Sequence, residues 1–310
     1  MPDSPSGPVS PSGNQHLANG WEPAALNAYC AICGATTGRI FAVHGYWVRA
    51  CIGCGHQFAE IQPSLDHVGR VYDDRYFHGA NAGYPDYLAE QELLRAHGRW
   101  YGRLLEKFTR PGVLLDVGAA AGFVLQGFQD RGWNGDGIEP NARMAEFARN
   151  TLGLRVEATT LETFQSGSRY DLVSMIQVVA HLDDEREAFR VTSEITRAGG
   201  FLLIESWNRR SWTARIFGKS WHEYSPPSVL RWFTPLDLER LVGQFGFRKI
   251  AAGRPPKFIR GTHARALLNY KVREWPLGGM FSAITRIIPE QARIPYPAED
   301  LFWMLFRKQS

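Results

Sequence analysis

Residues 113–133 read VLLDVGAAAGFVLQGFQDRGW. An apolar run from Val113 to Val117, broken only by Asp116, meets a turn of small residues and then a helical pattern carrying Phe123, Leu125 and Phe128. The order is strand, Gly-rich loop, helix. Glycines at 118 and 122 let the backbone approach a ligand closely, and the helix N-terminus aims its free N–H groups into the same space. Ala120 takes the middle glycine position. Such a turn also serves dinucleotide enzymes and purely structural crossovers, so its surroundings decide the reading.

Downstream, GDGIEP reads as a second strand ending in Glu139, 23 residues beyond Asp116. An acidic side chain at that tip is placed to accept hydrogen bonds from two ribose hydroxyls. The helical NARMAEFARNTLG, a strand at LRVEA and the turn TTLETF follow. Next come a strand at Tyr170–Ile176, the stretch QVVAHLDD, a helix from about Glu185 to Arg197 and a strand at GGFLLIES. Strands alternating with helices of this length imply a parallel sheet with right-handed crossovers. GFRKIAAG and LFWMLFRK are two later strand candidates.

LLDVGAAAG, GIEP, YDLVSMIQVVAHLDD, the GG before FLLIES, and WHEYSPPSVLRWFTPLDLERLVGQFGF together resemble the class I S-adenosylmethionine-dependent methyltransferases. More narrowly, the chain is similar to bacterial members in which a four-cysteine zinc-binding module precedes the catalytic domain. The resemblance runs over roughly Tyr29 to Lys308 and implies an α/β fold with a Rossmann-like seven-stranded sheet and a final antiparallel strand. It places S-adenosylmethionine across the carboxyl edge, with Asp116, Gly118, Ala120 and Gly122 around its methionine part and ribose side. By the same resemblance Glu139 binds the ribose, Thr160, Leu161 and Glu162 border the adenine, and Gln177 lines the transferring methyl. Relatives often carry an Asp where Thr160 stands, and an acid where Ala180 precedes His181.

All four cysteines fall in two C-x-x-C pairs, Cys30 with Cys33 and Cys51 with Cys54. Two knuckles complete the tetrahedral four-thiolate shell that Zn²⁺ prefers, and a closed shell makes the metal structural. Gly34 and Gly55 follow each pair, where the turn asks for positive φ. GRIFAVHGYWVRA between them alternates as a hairpin would. A pair of disulfides is the rival reading. His44 and His56 are surplus to the shell.

Residues 1–23 read as a disordered tail, without the features of a signal or transit peptide. Residues 24–65 read as the zinc ribbon and 66–111 as a helical cap over the cofactor cleft. The methyltransferase domain fills 112–310, with insertions at about 207–234 and 255–300. The spacing is helical from Asp86 to Phe108; the resemblance implies that this helix covers the cleft, where Tyr76, Tyr84 and Tyr87 would meet the ligand, with core packing as the alternative.

With Tyr76, the insertions supply candidate acceptor contacts at Trp207, Arg210, Trp221 and Tyr224, aromatic walls and a cation for an anionic group; tryptophans that only pack the insertion onto the sheet are the alternative. His181 and His222 are candidate general bases, since imidazole titrates near neutrality; a structural, loop-anchoring His181 is the alternative. No apolar run is long enough to span a bilayer, and the chain is expected to be cytoplasmic. GGMFSAITRIIP, apolar with one Arg, is a short lipid-surface candidate.

The 310 residues carry a net charge of +4, too little to argue for nucleic acid. Gly246 to Ser310 nevertheless holds 12 Lys and Arg against 4 Asp and Glu, an excess of +8. The expected activity is methyl transfer to a small-molecule acceptor such as a sugar, polyketide or lipid precursor. A zinc-ribbon RNA base methyltransferase and a catalytically inactive cofactor-binding module are the alternatives.

Overall fold

The computed structural model describes residues 28–61, 71, 87–261, 265, 289–290, 292–296 and 299–310. The proposed tail, Tyr76, Tyr84, Asp86 and most of GGMFSAITRIIP lie outside the described residues.

Three strands open the described chain: β1 (Thr37–Val43), β2 (Tyr46–Cys51) and β3 (Gln57–Ala59). Helix α1 (Gln91–Leu105) follows a 3₁₀ turn at Leu88–Glu90. The alternating part then runs β4 (Val113–Val117), α2 (Phe123–Gln129), β5 (Asn134–Ile138), α3 (Ala142–Leu152), β6 (Arg155–Glu157), β7 (Tyr170–Ile176), α4 (Glu185–Ile195) and β8 (Thr196–Trp207). After it come α5 (Trp212–Phe217), β9 (Arg231–Trp232), α6 (Pro235–Gly243), β10 (Phe247–Gly253), β11 (Lys257–Arg260), β12 (Arg293–Tyr296) and β13 (Leu301–Lys308).

Seven strands form one sheet in the order β10, β13, β8, β7, β4, β5, β6. The pairs β8–β7, β7–β4, β4–β5 and β5–β6 are parallel, and β13 is antiparallel to both of its neighbours. This is the class I methyltransferase architecture, with LFWMLFRK as the reversed strand. Helices on both faces explain why β4, β7 and β8 bury consecutive apolar residues and not alternate ones. Leu114 and Leu115, Leu172 and Val173, and Leu202 to Ile204 are all fully buried, each worth roughly 1.5–3 kcal/mol of transfer free energy.

Two glycines set the distance between α1 and α2. A Cβ on Gly98 would lie 2.1 Å from the Val124 carbonyl oxygen, and one on Gly127 would lie 2.2 Å from that of Arg95. The helix backbones therefore touch at this crossing. One turn of α1 then carries His97 and Tyr101, four residues apart on one face, onto the end of β8, where both meet Glu205.

The cysteine module shares a sheet with the first insertion. Strands β1, β2, β3 and β9 hydrogen-bond in that order. Tyr224 donates to Gln57 across the junction at 2.5 Å. Gln244 and Arg186 hold the knuckle backbone at Ile32 and Ala31, at 2.8 and 2.9 Å. Cys30, Ile32 and Cys51 belong to the same apolar cluster as Phe233 and the strand residues Val173 and Ile204. Among the described residues no helix is long and apolar enough to cross a membrane.

Candidate active site

At the carboxyl end of β4 the chain turns on Gly118, with φ +67°. A Cβ there would lie 2.6 Å from Val178 Cγ2, and one on Gly122, φ +86°, would lie 2.3 Å from Leu154 Cδ1. Both positions therefore require glycine for conformation and for space. Ala120 occupies the left-handed region without being glycine, at φ +46°. Strain of this kind persists where surrounding bonds over-determine it and gathers at functional sites. Here the bond is visible: Ala120 N donates to Glu139 Oε2 at 2.9 Å.

Glu139 follows β5 directly, 5% exposed, and its Oε1 accepts from Asn141 N at 2.8 Å. Asn141 in turn caps α3 by accepting from Met144 N. Beside it, buried Asp116 accepts from Ser174 Oγ at 2.6 Å. Burial pushes both carboxyls up to about 7, Glu139 against its two amide donors and Asp116 with the neighbouring Glu139 charge adding to the rise. A carboxylate offers about four acceptor sites, and two of Glu139's are used by backbone. The remaining capacity suits a ligand diol, so the residues fit the ribose of an adenosyl group.

The sign of the pH dependence follows. Hydroxyl donors favour the ionised carboxylate, so a bound nucleoside pulls the Glu139 pKa below 7 and releases a proton when binding occurs under that pH. S-adenosylhomocysteine should bind about tenfold more weakly at pH 6 than at pH 8. Calorimetry in buffers of different ionisation enthalpy checks this; a flat profile with no proton release contradicts it.

Gln177, directly after β7, is a second non-glycine residue in the left-handed region, φ +60°. Its backbone N donates to the Glu205 carbonyl at 2.9 Å and its Nε2 donates to Glu205 Oε1 at 2.7 Å. Asp116, Gly118, Ala120, Gly122, Glu139 and Gln177 thus converge where β4, β5 and β7 end. In the turn after β6, Thr160 contacts Thr163 at 3.0 Å and the Leu161 side chain is core. Glu162 Oε1 accepts from Asp183 N at 3.1 Å, tying this turn to the loop after β7.

The sequence reading missed Glu205, His97 and Tyr101. The signal was present in FLLIES, where an acid ends an apolar strand as Asp116 nearly ends its own. Sequence spacing alone gives no hint that α1 folds back on it.

His181 ends the 3₁₀ turn Val179–His181. Its Nδ1 lies 2.7 Å from the Ser228 carbonyl, which can only accept, so Nδ1 carries the proton and Nε2 is the basic nitrogen. Burial lowers the His181 pKa, opposed by that hydrogen bond, and keeps the ring neutral. His222 is exposed, edge-on to Trp207 at 4.8 Å, with Nε2 3.4 Å from Glu223.

Of the insertion aromatics, Trp221 and Tyr224 are buried in one cluster with Val48, Ala59 and Trp232. Trp221 donates to Asp300 Oδ2 at 3.2 Å. Their indole and phenol pack the insertion against the cysteine module. Trp207 is half-buried and Arg210 exposed. Tyr87 is buried and stacks on Phe123 at 5.8 Å.

The four cysteine sulfurs lie within 4.8 Å of one another. Cys30 and Cys54 are 3.6 Å apart, and Cys33 and Cys51 3.4 Å, against about 3.8 Å for thiolates around a tetrahedral zinc with Zn–S near 2.3 Å. The turn amides of Ile32 and Gly53 donate to Cys30 and Cys51 at 3.4 and 3.3 Å. Gly34 and Gly55 have φ of +73° and +75°. Burial pushes the Cys30 and Cys54 thiols up, Cys54 to about 11; a divalent cation is what would draw off those protons. The donor set fits Zn²⁺. His56 is outside this sulfur set and stacks on Phe233 at 5.0 Å.

Comparison with known proteins gives the same domain. A family profile described as a methyltransferase domain matches residues 88–252. The ubiquinone biosynthesis O-methyltransferase of Azorhizobium caulinodans is 27% identical over 146 residues, 43% of this chain and 58% of that protein. Its counterpart from Alkalilimnicola ehrlichii is 26% identical over 147 residues, 40% of this chain and 60% of that one. The chain thus spans somewhat over half the length of these curated relatives. Among solved structures, a chain in the complex of the Haloferax volcanii Trm112 methyltransferase activator with a methyltransferase superposes with a TM-score of 0.51 at 12% identity. The superposition covers 78% of this chain and 97% of that one and carries the fold alone.

Proposed function

The chain belongs to the methyltransferase-domain family, and from that premise we propose that it transfers a methyl group from S-adenosylmethionine to a hydroxyl of a small molecule. The observation that carries the reading is the convergence of buried, acceptor-rich Glu139 and Asp116 on a glycine turn strained at Ala120. Bound there, the sulfonium supplies a methyl that is already a strong electrophile.

The protein's part is then alignment and exclusion of water. Glu139 would hold the ribose diol, the backbone of the 118–122 turn the methionyl part, and the 160–162 turn the adenine edge. His181, neutral and protonated on Nδ1, would take the hydroxyl proton on Nε2 as the acceptor oxygen attacks. The half-buried Trp207 and exposed Arg210 would border the acceptor. We further propose that the four thiolates hold a structural Zn²⁺.

Relatives named for ubiquinone biosynthesis favour a small hydroxylated acceptor. The cations of the cysteine module argue against RNA. Arg39 and Arg49, its only two between Tyr29 and Ala59, both pair with Glu60, at 2.5 and 2.7 Å, and leave little for phosphate tracking. In the basic C-terminal segment, Lys249 pairs with Glu239, while Arg307 and Lys308 donate to backbone carbonyls.

The test is transfer of label from methyl-labelled S-adenosylmethionine to a panel of phenols, hydroxylated lipids and sugars, with RNA alongside. Label in a small molecule, lost about 100-fold or more in His181→Gln as expected for a general base, supports the proposal. Label in RNA overturns it, and label unaffected by His181→Gln removes the base.

A further inference from the structure

Glu205 is an ionisable residue with no exposure at all, and it accepts three side-chain hydrogen bonds, two from α1 and one from the residue that follows β7. His97 Nε2 lies 2.7 Å from its Oε2, Tyr101 donates to the same oxygen, and Gln177 Nε2 lies 2.7 Å from Oε1. Burial alone would raise this carboxyl, but the charge and hydrogen bond of His97, with Tyr101 and Gln177, bring it down to about 2. With the Tyr101 hydroxyl and the His97 imidazole both set on Oε2 as donors, the group is held as an anion, and an anion only accepts.

That settles an orientation which shape alone leaves open. The two ends of a glutamine amide are nearly alike, yet only the nitrogen end can face a carboxylate. Gln177 is also held by its backbone N on the Glu205 carbonyl, in a left-handed conformation that an unanchored Gln seldom adopts. Val178, next in the chain, packs on the Gly118 position, so the backbone that carries the anchored amide borders the glycine turn.

We propose that Glu205 is a positioning residue that locks Gln177 with its carbonyl Oε1 turned toward the cofactor cleft, so that the ligand group met there is a hydrogen-bond donor or a cation. This rests on the cofactor reading above. His97 and Tyr101 serve by holding the other carboxylate oxygen, which is the reason α1 must close on α2.

The test reads affinity for S-adenosylhomocysteine by calorimetry on the full chain. Gln177→Leu, which has neither amide end, should bind about tenfold or more weakly. Gln177→Glu sets two carboxylates against each other and should bind as poorly. The double variant Gln177→Glu/Glu205→Gln restores donor to acceptor and can offer the cleft only oxygen, so it should return to within about threefold of wild type. A double variant as weak as Gln177→Leu overturns the proposal, because the cleft then needs the donor end. Should the double variant not fold, Glu205→Gln alone decides: its amide can satisfy Gln177 either way round and should cost about three- to tenfold, and no change overturns the proposal. Tyr101→Phe removes a bond from the far oxygen and should stay within about threefold of wild type despite a lower melting temperature; a loss equal to that of Gln177→Leu would make the network merely structural. Wild type failing to bind sinks the cofactor reading itself, whereas wild-type binding with an unrescued double variant sinks this inference alone.

Discussion

Glu139→Ala should weaken S-adenosylhomocysteine binding by about 100-fold or more, since hydrogen bonds to a charged group contribute about 1.5–3 kcal/mol each and two ribose hydroxyls would be lost. The carboxylate is buried, tied to Ala120 N and Asn141 N, and so already fixed in position before ligand arrives. Truncation also releases the strained Ala120 from its hydrogen bond to Glu139, and the turn is then free to relax away from the ligand. Glu139→Gln separates the two effects. It keeps one carbonyl for a hydroxyl and loses the charge, so about a tenfold loss is expected. Glu146→Ala, on the exposed face of α3, is the matched control and should bind as wild type. Calorimetry beside thermal melting gives the answer: a folded Glu139→Ala with unchanged affinity removes the ribose assignment.

Periodicity and turn chemistry made the alternating half of the chain legible. The strand at 170–176 was readable to the residue because polar residues 165–169 precede it and Gln177 breaks the pattern after it, and the place of Glu139 was readable because the acid directly follows the short strand that ends at Ile138. What lay beyond reach came from contacts distant in sequence. Nothing in the spacing of Trp221 and Tyr224 tells an acceptor wall from a packing surface. The difference is made by β9 pairing with β3, a contact across more than 170 residues. His97 likewise reads as an ordinary helix residue until Gly98 and Gly127 bring α1 against α2 and set it on Glu205. Gln177 could be placed at the cleft, but its anchored amide could not, since the anchoring anion sits on a different strand.

Removing the metal from the cysteine module should lower the melting temperature by about 10 °C or more, and the damage should spread past the module. Structural Zn²⁺ in small sulfur sites is worth on the order of 10–16 kcal/mol of apparent binding free energy. For a domain of this size each kcal/mol moves the midpoint by about 2–4 °C, so recovering even a third of that value gives the predicted drop. The spread follows from the shared sheet and core. With β3 loosened, β9 loses its partner and Tyr224 loses Gln57, while Cys30, Ile32 and Cys51 leave the cluster that includes Phe233. The 207–234 segment should therefore become sensitive to protease together with the knuckles. Metal analysis of the purified chain should give one zinc per chain, and Cys30→Ser should lose most of it. Chelator and reductant then separate the two readings of the cysteines. A midpoint lowered by chelator and untouched by reductant fits four thiolates on a metal; the reverse pattern means paired disulfides and a module that owes its stability to cross-links.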